Sequence, residues 1–117
     1  MKFGTTIVSR DGVEITQLDV MQTQSLIERL CGLLVLDNLV QGQVLWLEPC
    51  NSIHTIGMKY PLDLIYLDRY NMVCRLSENV KSWRMRFCLK AKVTMELAAG
   101  SIKDLNVQLG DRFTWPD

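Results

Sequence analysis

Residues 62–76 read LDLIYLDRYNMVCRL and contain the pattern that decides the fold. Two apolar runs, Leu62–Leu67 and Met72–Leu76, flank a polar tetrapeptide. Its Asp68 and Asn71 suit a four-residue hairpin loop, because their side chains hydrogen-bond local backbone groups. The stretch therefore predicts an antiparallel β-hairpin in the middle of the chain.

Strand patterns also occur on both sides of this hairpin. Near the start, Asp11-Gly12 separates two β-branched runs and predicts a second hairpin, because Gly accepts a positive φ without steric cost. Three later segments also have strand patterns. The first is a continuous apolar run, the second alternates apolar and polar residues, and the third is short and follows a Gly-Asp turn. These predicted strands are Thr5–Ser9, Val13–Val20, Val44–Leu47, Val93–Leu97 and Arg112–Trp115.

Two segments predict helices. Ser25 and Glu28 match a capping box, and apolar residues recur at helical spacing from Leu26 to Leu34. A shorter helix is predicted from Ser101, whose side chain can cap its first turn. We therefore expect an α+β fold: a mostly antiparallel curved sheet or small open β-barrel with one main helix and one short helix. The expected domain is a single one over residues 1–117.

Composition excludes several classes of protein. The 117 residues carry 13 basic and 13 acidic side chains, so the formal net charge is +0. Nucleic-acid binding and polybasic membrane binding both favour an excess of positive charge, so we expect neither. No run approaches the 18 apolar residues of a membrane span. The sequence as written predicts a cytoplasmic protein, or a periplasmic or envelope protein if an export signal was removed.

Cysteines and basic residues give weaker signals. Cys31, Cys50, Cys74 and Cys88 contain no C-x-x-C pair, and we interpret them as separate reduced thiols. The basic segment 79–90 is typical of a solvated loop.

Reactive side chains are densest between Cys50 and Asp63, where His54 and Lys59 also lie. A Cys-His pair could make a thiol enzyme if the two side chains came within hydrogen-bond reach. One histidine with one cysteine is too few ligands for structural zinc, so we expect no metal site. Asp63 lies on an apolar strand, so it must find hydrogen-bond donors, either as an acceptor that fixes the fold or as a pocket carboxylate.

Several segments together resemble a known family. They are Gly32-Leu33-Leu34, residues 52–68 with Met58-Lys59-Tyr60-Pro61-Leu62-Asp63 at their centre, Glu96–Gly100 and Leu109–Asp111. Over roughly residues 16 to 114 the chain resembles domain-of-unknown-function family 192, a group of small prokaryotic proteins. Leu34 stands where members commonly have Met, and Ile56-Gly57 and Tyr60 depart from the common aromatic and Asn-Thr pattern around Met58-Lys59.

The resemblance implies a compact α+β domain with a barrel-like sheet, and an envelope setting for many members. It names no reaction or cofactor, but it marks Met58, Lys59, Pro61 and Asp63. We expect a non-catalytic module without a cofactor that binds an unidentified small ligand or protein, but not nucleic acid. The candidate pocket is His54, Met58, Lys59, Asp63 and Arg84. The alternatives are a small hydrolase or thiol enzyme using Cys50, His54 and Asp63, or a purely structural Asp63 with function elsewhere, as at residues 81–90.

Overall fold

A computed structural model describes residues 2–22, 39–54, 60–81 and 84–115, with the backbone alone for 52–54. Strands make up 58% of these residues. The one helix described, α1, is Ser101–Leu105. The strands are β1 (Lys2–Arg10), β2 (Val13–Gln22), β3 (Gln43–Leu47), β4 (Ser52–His54), β5 (Leu62–Leu67), β6 (Val73–Val80), β7 (Met85–Phe87), β8 (Val93–Ala98) and β9 (Arg112–Thr114).

Seven strands form one sheet in the order β6-β5-β8-β3-β2-β1-β9, while β4 and β7 pair separately. All neighbours in the large sheet are antiparallel except β2 and β3, which run parallel. A parallel pair needs a crossover of a dozen or more residues, and 20 residues separate these two strands. The main helix predicted from Ser25 belongs to this crossover, outside the described residues.

The two edges of the large sheet meet, which curls the sheet into a barrel. Met72, just before β6, forms a bridge with Arg112 of β9. Backbone bonds reinforce this contact, from the Val73 amide to the Asp111 carbonyl at 2.7 Å and from the Phe113 amide to the Asn71 carbonyl at 3.0 Å. Pairing of the edges leaves fewer backbone groups without partners than an open sheet would.

Apolar side chains divide between the two faces of this curled sheet. The inner core includes Val20, Trp46, Ile65, Met95 and Phe113, all nearly fully buried. On the opposite face, strands β3, β5 and β8 contribute a second set, here called the outer cluster. It consists of Leu39, Leu45, Leu47, Leu62, Leu64, Tyr66, Val80 and Ala91, with Met21, Cys50, Tyr60, Cys74, Cys88 and Ala98 packed against it. The central strands are therefore buried on both faces.

The expected α+β class is wrong, because the described chain is mostly β. Strands extend further than the sequence pattern indicated: β6 runs on to Val80, β4 was not predicted, and β7 forms within the segment 79–90 that was expected to be a loop. The basic segment 79–90 is thus part strand rather than a solvated loop. The short helix is confirmed, but Gly100 rather than Ser101 is its N-cap.

Both predicted hairpins are confirmed. Asp11 and Gly12 take positive φ angles of 52° and 79° between β1 and β2. In the second hairpin Asp68 Oδ1 accepts the amides of Tyr70 and Met72, as expected for an Asp-initiated loop. No helix within the described part of the chain is long and apolar enough to cross a membrane.

Candidate functional site

Asp63 is a fully buried carboxylate on the inner face of β5. Opposite it on β8 lies Leu97 of the inner core. Asp63 Oδ1 accepts the Asn79 amide at 2.8 Å, and Oδ2 accepts the Ile102 amide at 2.9 Å. Backbone N–H groups thus satisfy the carboxylate, which is the fold-fixing role considered from the sequence.

The bond to the Ile102 amide follows from the position of Ile102 at the start of α1. The first turn of a helix has amides without intrahelical partners, and Asp63 supplies the acceptor for one of them in α1. Ser101 instead donates its hydroxyl to the Ala98 carbonyl at 2.6 Å. Gly100 ends the preceding turn at φ 92°, and Asn79 takes φ 51°. Asp63 therefore joins the end of β6 to the start of α1.

Glu96 is the buried polar group that stands out on the outer face. It lies on β8 between Leu45 of β3 and Leu64 of β5 and is 5% exposed. Its Oε2 has no hydrogen-bond partner within the described parts of the chain. Burial raises the pKa of Glu96 to about 8, because removal from water penalises the charged form. At neutral pH this side chain is mostly a neutral carboxylic acid.

Tyr66 lies near Glu96 on the same outer face, because Tyr66 pairs with Thr94, two residues from Glu96 on β8. Its side chain is fully buried, and burial raises the pKa of its phenol. The outer face thus has two uncharged but polar groups at the centre of an apolar cluster. Such groups give a binding surface hydrogen-bonding specificity without net charge.

The residues that flank segment 51–59 pack at this face. Cys50 precedes the segment and Tyr60 follows it, and both pack against the outer cluster. Cys50 is fixed by two backbone contacts: its amide donates to the Lys92 carbonyl at 2.9 Å, and its carbonyl accepts the Thr94 hydroxyl at 2.9 Å. Both flanking residues therefore lie against the outer cluster, on the face where Glu96 is buried.

The structure brings some of the predicted pocket residues together. His54 of β4 pairs with Met85 of β7, so its backbone lies next to that of Arg84, which is exposed. Asp63 lies on the inner face, where its carboxylate accepts hydrogen bonds from the amides of Asn79 and Ile102. Met58 and Lys59 lie outside the described residues, as does the His54 side chain.

Cys50 and Asp63 lie on opposite faces of the large sheet, since Cys50 packs in the outer cluster and Asp63 beside the inner core. The described residues contain no group of three or more His, Cys, Asp or Glu side chains that could hold a metal ion.

Two cysteines that are 14 residues apart meet at the margin of the outer cluster. Cys74 Sγ lies 3.8 Å from Cys88 Sγ and 3.4 Å from the Tyr66 carbonyl. Both are free thiols, as the sequence predicted, but the fold places them in contact. Neither the spacing nor a motif indicates the contact, because it depends on where β7 returns to β6.

The comparison with known protein families agrees with the resemblance that the sequence motifs indicated. The family model described as an uncharacterized ACR, domain-of-unknown-function family 192, matches residues 6–115. The chain belongs to family 192. The match confirms the resemblance and extends it at the start of the chain into the first hairpin. None of the curated proteins is significantly similar to it.

Two solved structures share the fold of this family 192 chain. One is a protein of unknown function from Novosphingobium aromaticivorans, with a TM-score of 0.84 and 15% identity over 97% of this chain and 85% of that one. The other, from Sinorhizobium meliloti, is described as a candidate transcription regulator. Its TM-score is 0.82, with 18% identity over 98% of this chain and 96% of that one. At these identities the likeness extends to the fold alone.

Sequence reasoning missed Glu96 as a candidate. In the run from Val93 to Leu97, Glu96 alternates with apolar residues and therefore suggests the solvent face of a half-buried strand. Both faces of β8 are instead covered: Val93, Met95 and Leu97 pack in the inner core, and Thr94 and Glu96 are buried on the outer face. The signal available in the sequence was Glu96 within the Glu96–Gly100 segment of the family resemblance.

Proposed function

We propose that this protein is a non-catalytic module that binds a small ligand against the outer face of the barrel, beside Glu96. The observation that carries this proposal is the buried Glu96 carboxyl group, whose Oε2 has no hydrogen-bond partner among the described residues. A buried polar atom without a partner costs free energy, and a ligand that completes its hydrogen bond recovers that cost. This makes Glu96 the residue around which a ligand gains affinity.

The protonation state of Glu96 indicates the ligand chemistry. With a pKa of about 8, the free protein presents a carboxylic acid at pH 7, which can donate one hydrogen bond and accept another. The surrounding Leu45, Leu64 and Tyr66 are apolar or uncharged and fully buried. A ligand with an amide or carbonyl group on a compact apolar frame fits this combination better than an anion.

Residues 51–59 supply the rest of the proposed pocket. Their flanking residues Cys50 and Tyr60 pack on the outer cluster, so Met58 and Lys59 belong to a segment held at both ends beside it. His54 and Arg84 would form the rim, since β4 and β7 align their backbones. Asp63 is a supporting residue in this proposal, because it joins the elements beneath β5 rather than facing the ligand.

The thiol-enzyme alternative has less support. Such chemistry needs the nucleophile, base and orienting carboxylate within mutual hydrogen-bond reach. Cys50 and Asp63 are on opposite faces of the sheet, and the Asp63 oxygens already accept two backbone amides. Binding to a protein segment instead of a small molecule is an outcome that the experiment below distinguishes.

A thermal-shift screen of small amides, carbonyl compounds, sugars and nucleosides tests the proposal. Hits are then measured by calorimetry on wild type, Glu96→Met and Lys59→Met. Glu78→Met is the matched control, because Glu78 is an exposed glutamate on the edge strand β6. Met has nearly the length of Glu but no hydrogen-bonding group comparable to the carboxyl, so we expect Glu96→Met to weaken a true hit about tenfold or more, which corresponds to the loss of one buried hydrogen bond, while the control is unchanged.

Equal affinity for wild type and Glu96→Met across all hits would contradict the proposed site. A screen without small-molecule hits, together with a protein partner whose binding is unchanged by Glu96→Met, would also contradict it. Folding of each variant is checked by circular dichroism, so that a lost hit is not a lost fold.

A further inference from the structure

Cys74 and Cys88 are held at a distance from which a disulfide can form. Their Sγ atoms are 3.8 Å apart, and a disulfide needs about 2.0 Å. The two sulfur atoms therefore need only a short approach, which rotation of one side chain can provide. Both side chains are half-buried rather than sealed in the core, so a small oxidant can reach them.

The backbone around the two cysteines is fixed by neighbouring hydrogen bonds. Arg75, next to Cys74, donates from Nη1 to the carbonyl of Phe87, next to Cys88, at 2.8 Å. The Cys88 amide also donates to the Asn51 carbonyl at 2.8 Å. The proximity of the thiols thus results from the fold of β6 and β7, not from a chance rotamer of two surface side chains.

We propose that Cys74 and Cys88 form a redox-active dithiol site that reacts with a small-molecule disulfide of the glutathione type. The product is an intramolecular Cys74–Cys88 disulfide that fastens the end of β7 to β6. This site is independent of any ligand at Glu96.

Thiol-disulfide exchange gives a balanced reaction in two steps. Cys88, as its thiolate, attacks one sulfur of glutathione disulfide, forms a mixed disulfide and releases one glutathione thiolate. Cys74 then loses its proton and attacks the Cys88 sulfur, which forms the protein disulfide and releases the second glutathione thiolate. The two thiolates take up the two protons, so two protein thiols are oxidised and one glutathione disulfide is reduced to two thiols.

The order of the steps follows from the surroundings of Cys74. Burial, and then the hydrogen bond with Cys88, raise the pKa of the Cys74 thiol to about 11. The raised pKa disfavours the Cys74 thiolate, so Cys74 is assigned the second, resolving step.

Peptide mass mapping tests the site on the full chain. The folded protein is equilibrated in glutathione buffers of graded oxidised-to-reduced ratio, trapped with N-ethylmaleimide and digested. We expect a cross-linked Cys74–Cys88 peptide two hydrogen masses lighter than the reduced pair, with Cys50 still trapped as a thiol. The folded protein should reach half-conversion at a ratio of oxidised to reduced glutathione at least tenfold lower than the urea-unfolded chain needs. The reason is that the fold raises the effective thiol concentration above the roughly millimolar value of a flexible loop.

Matched variants separate this disulfide from general oxidation. Cys74→Ser and Cys88→Ser should each abolish the cross-linked peptide, and Cys50→Ser should leave its formation unchanged. Conversion equal to that of the unfolded chain would overturn the proposal. So would folded wild type that ends with both cysteines as free thiols or as mixed disulfides. These wild-type outcomes decide the question even if a variant fails to fold.

Discussion

Replacement of Glu96 by Gln should stabilise the protein at neutral pH. Burial raises the pKa of Glu96 from 4.5 to about 8, so the folded state retains a proton that the unfolded chain has lost. The neutral carboxyl is fully compatible with folding below pH 4.5, and stability is lost as the pH rises from 4.5 towards 8. Gln is neutral at every pH and avoids this loss.

The size of the effect follows from the titration window. Between pH 4.5 and pH 7 lie 2.5 pH units, and each is worth about 1.4 kcal/mol, so Glu96 costs wild type about 3 kcal/mol at pH 7. For a domain of this size, that corresponds to a difference in Tm of roughly 10 °C. The advantage of Glu96→Gln should shrink towards zero below pH 4.5.

Urea unfolding followed by tryptophan fluorescence at several pH values between 4.5 and 8 measures this difference directly. Glu78→Gln is the control and should track wild type, because exposed Glu78 has no comparable burial. A constant free-energy difference between wild type and Glu96→Gln across this pH range would refute the reasoning, since it would show that Glu96 does not titrate differently in the two states.

Three further predictions concern stability. Asp63→Ala should lower the free energy of unfolding by about 3 kcal/mol, because two backbone amides lose their acceptor. Asp63→Asn should lower it by less, because Asn keeps one acceptor oxygen, and urea titration ranks the two variants. The hydrogen bond from Arg10 lowers the pKa of Asp111, so stability present above pH 3.8 should be lost as the pH falls below it. Carbon NMR should show that Arg10→Met returns this pKa towards 3.8. Gly100→Ala should cost about 1 kcal/mol in thermal unfolding, because φ is 92° there.

The strand pattern of the sequence predicts much of the barrel. Short-range signals locate both hairpins, because the Asp11-Gly12 and Asp68–Asn71 turns depend on local backbone chemistry. These signals do not reveal β4 and β7, whose short strands form only because each supplies the other's hydrogen bonds. For this reason the sequence pattern predicts a loop at residues 79–90, whereas part of that segment is strand.

The candidate site was predicted less completely. Asp63 was correctly identified as a carboxylate that needs donors, but the donors are amides of Asn79 and Ile102, which are 16 and 39 residues away. Burial of Glu96 depends on the outer cluster, to which distant residues such as Leu39 and Val80 contribute, and alternation within one strand cannot indicate this. The contact between Cys74 and Cys88 likewise depends on the return of β7 to the barrel.

The most direct test of the proposed site is to follow the side-chain carboxyl carbon of Glu96 by NMR while a screened ligand is added. Our account predicts that the Glu96 resonance shifts and saturates at the Kd found by calorimetry. A ligand that binds with the same Kd but leaves the Glu96 resonance unchanged, while other resonances move, would contradict it.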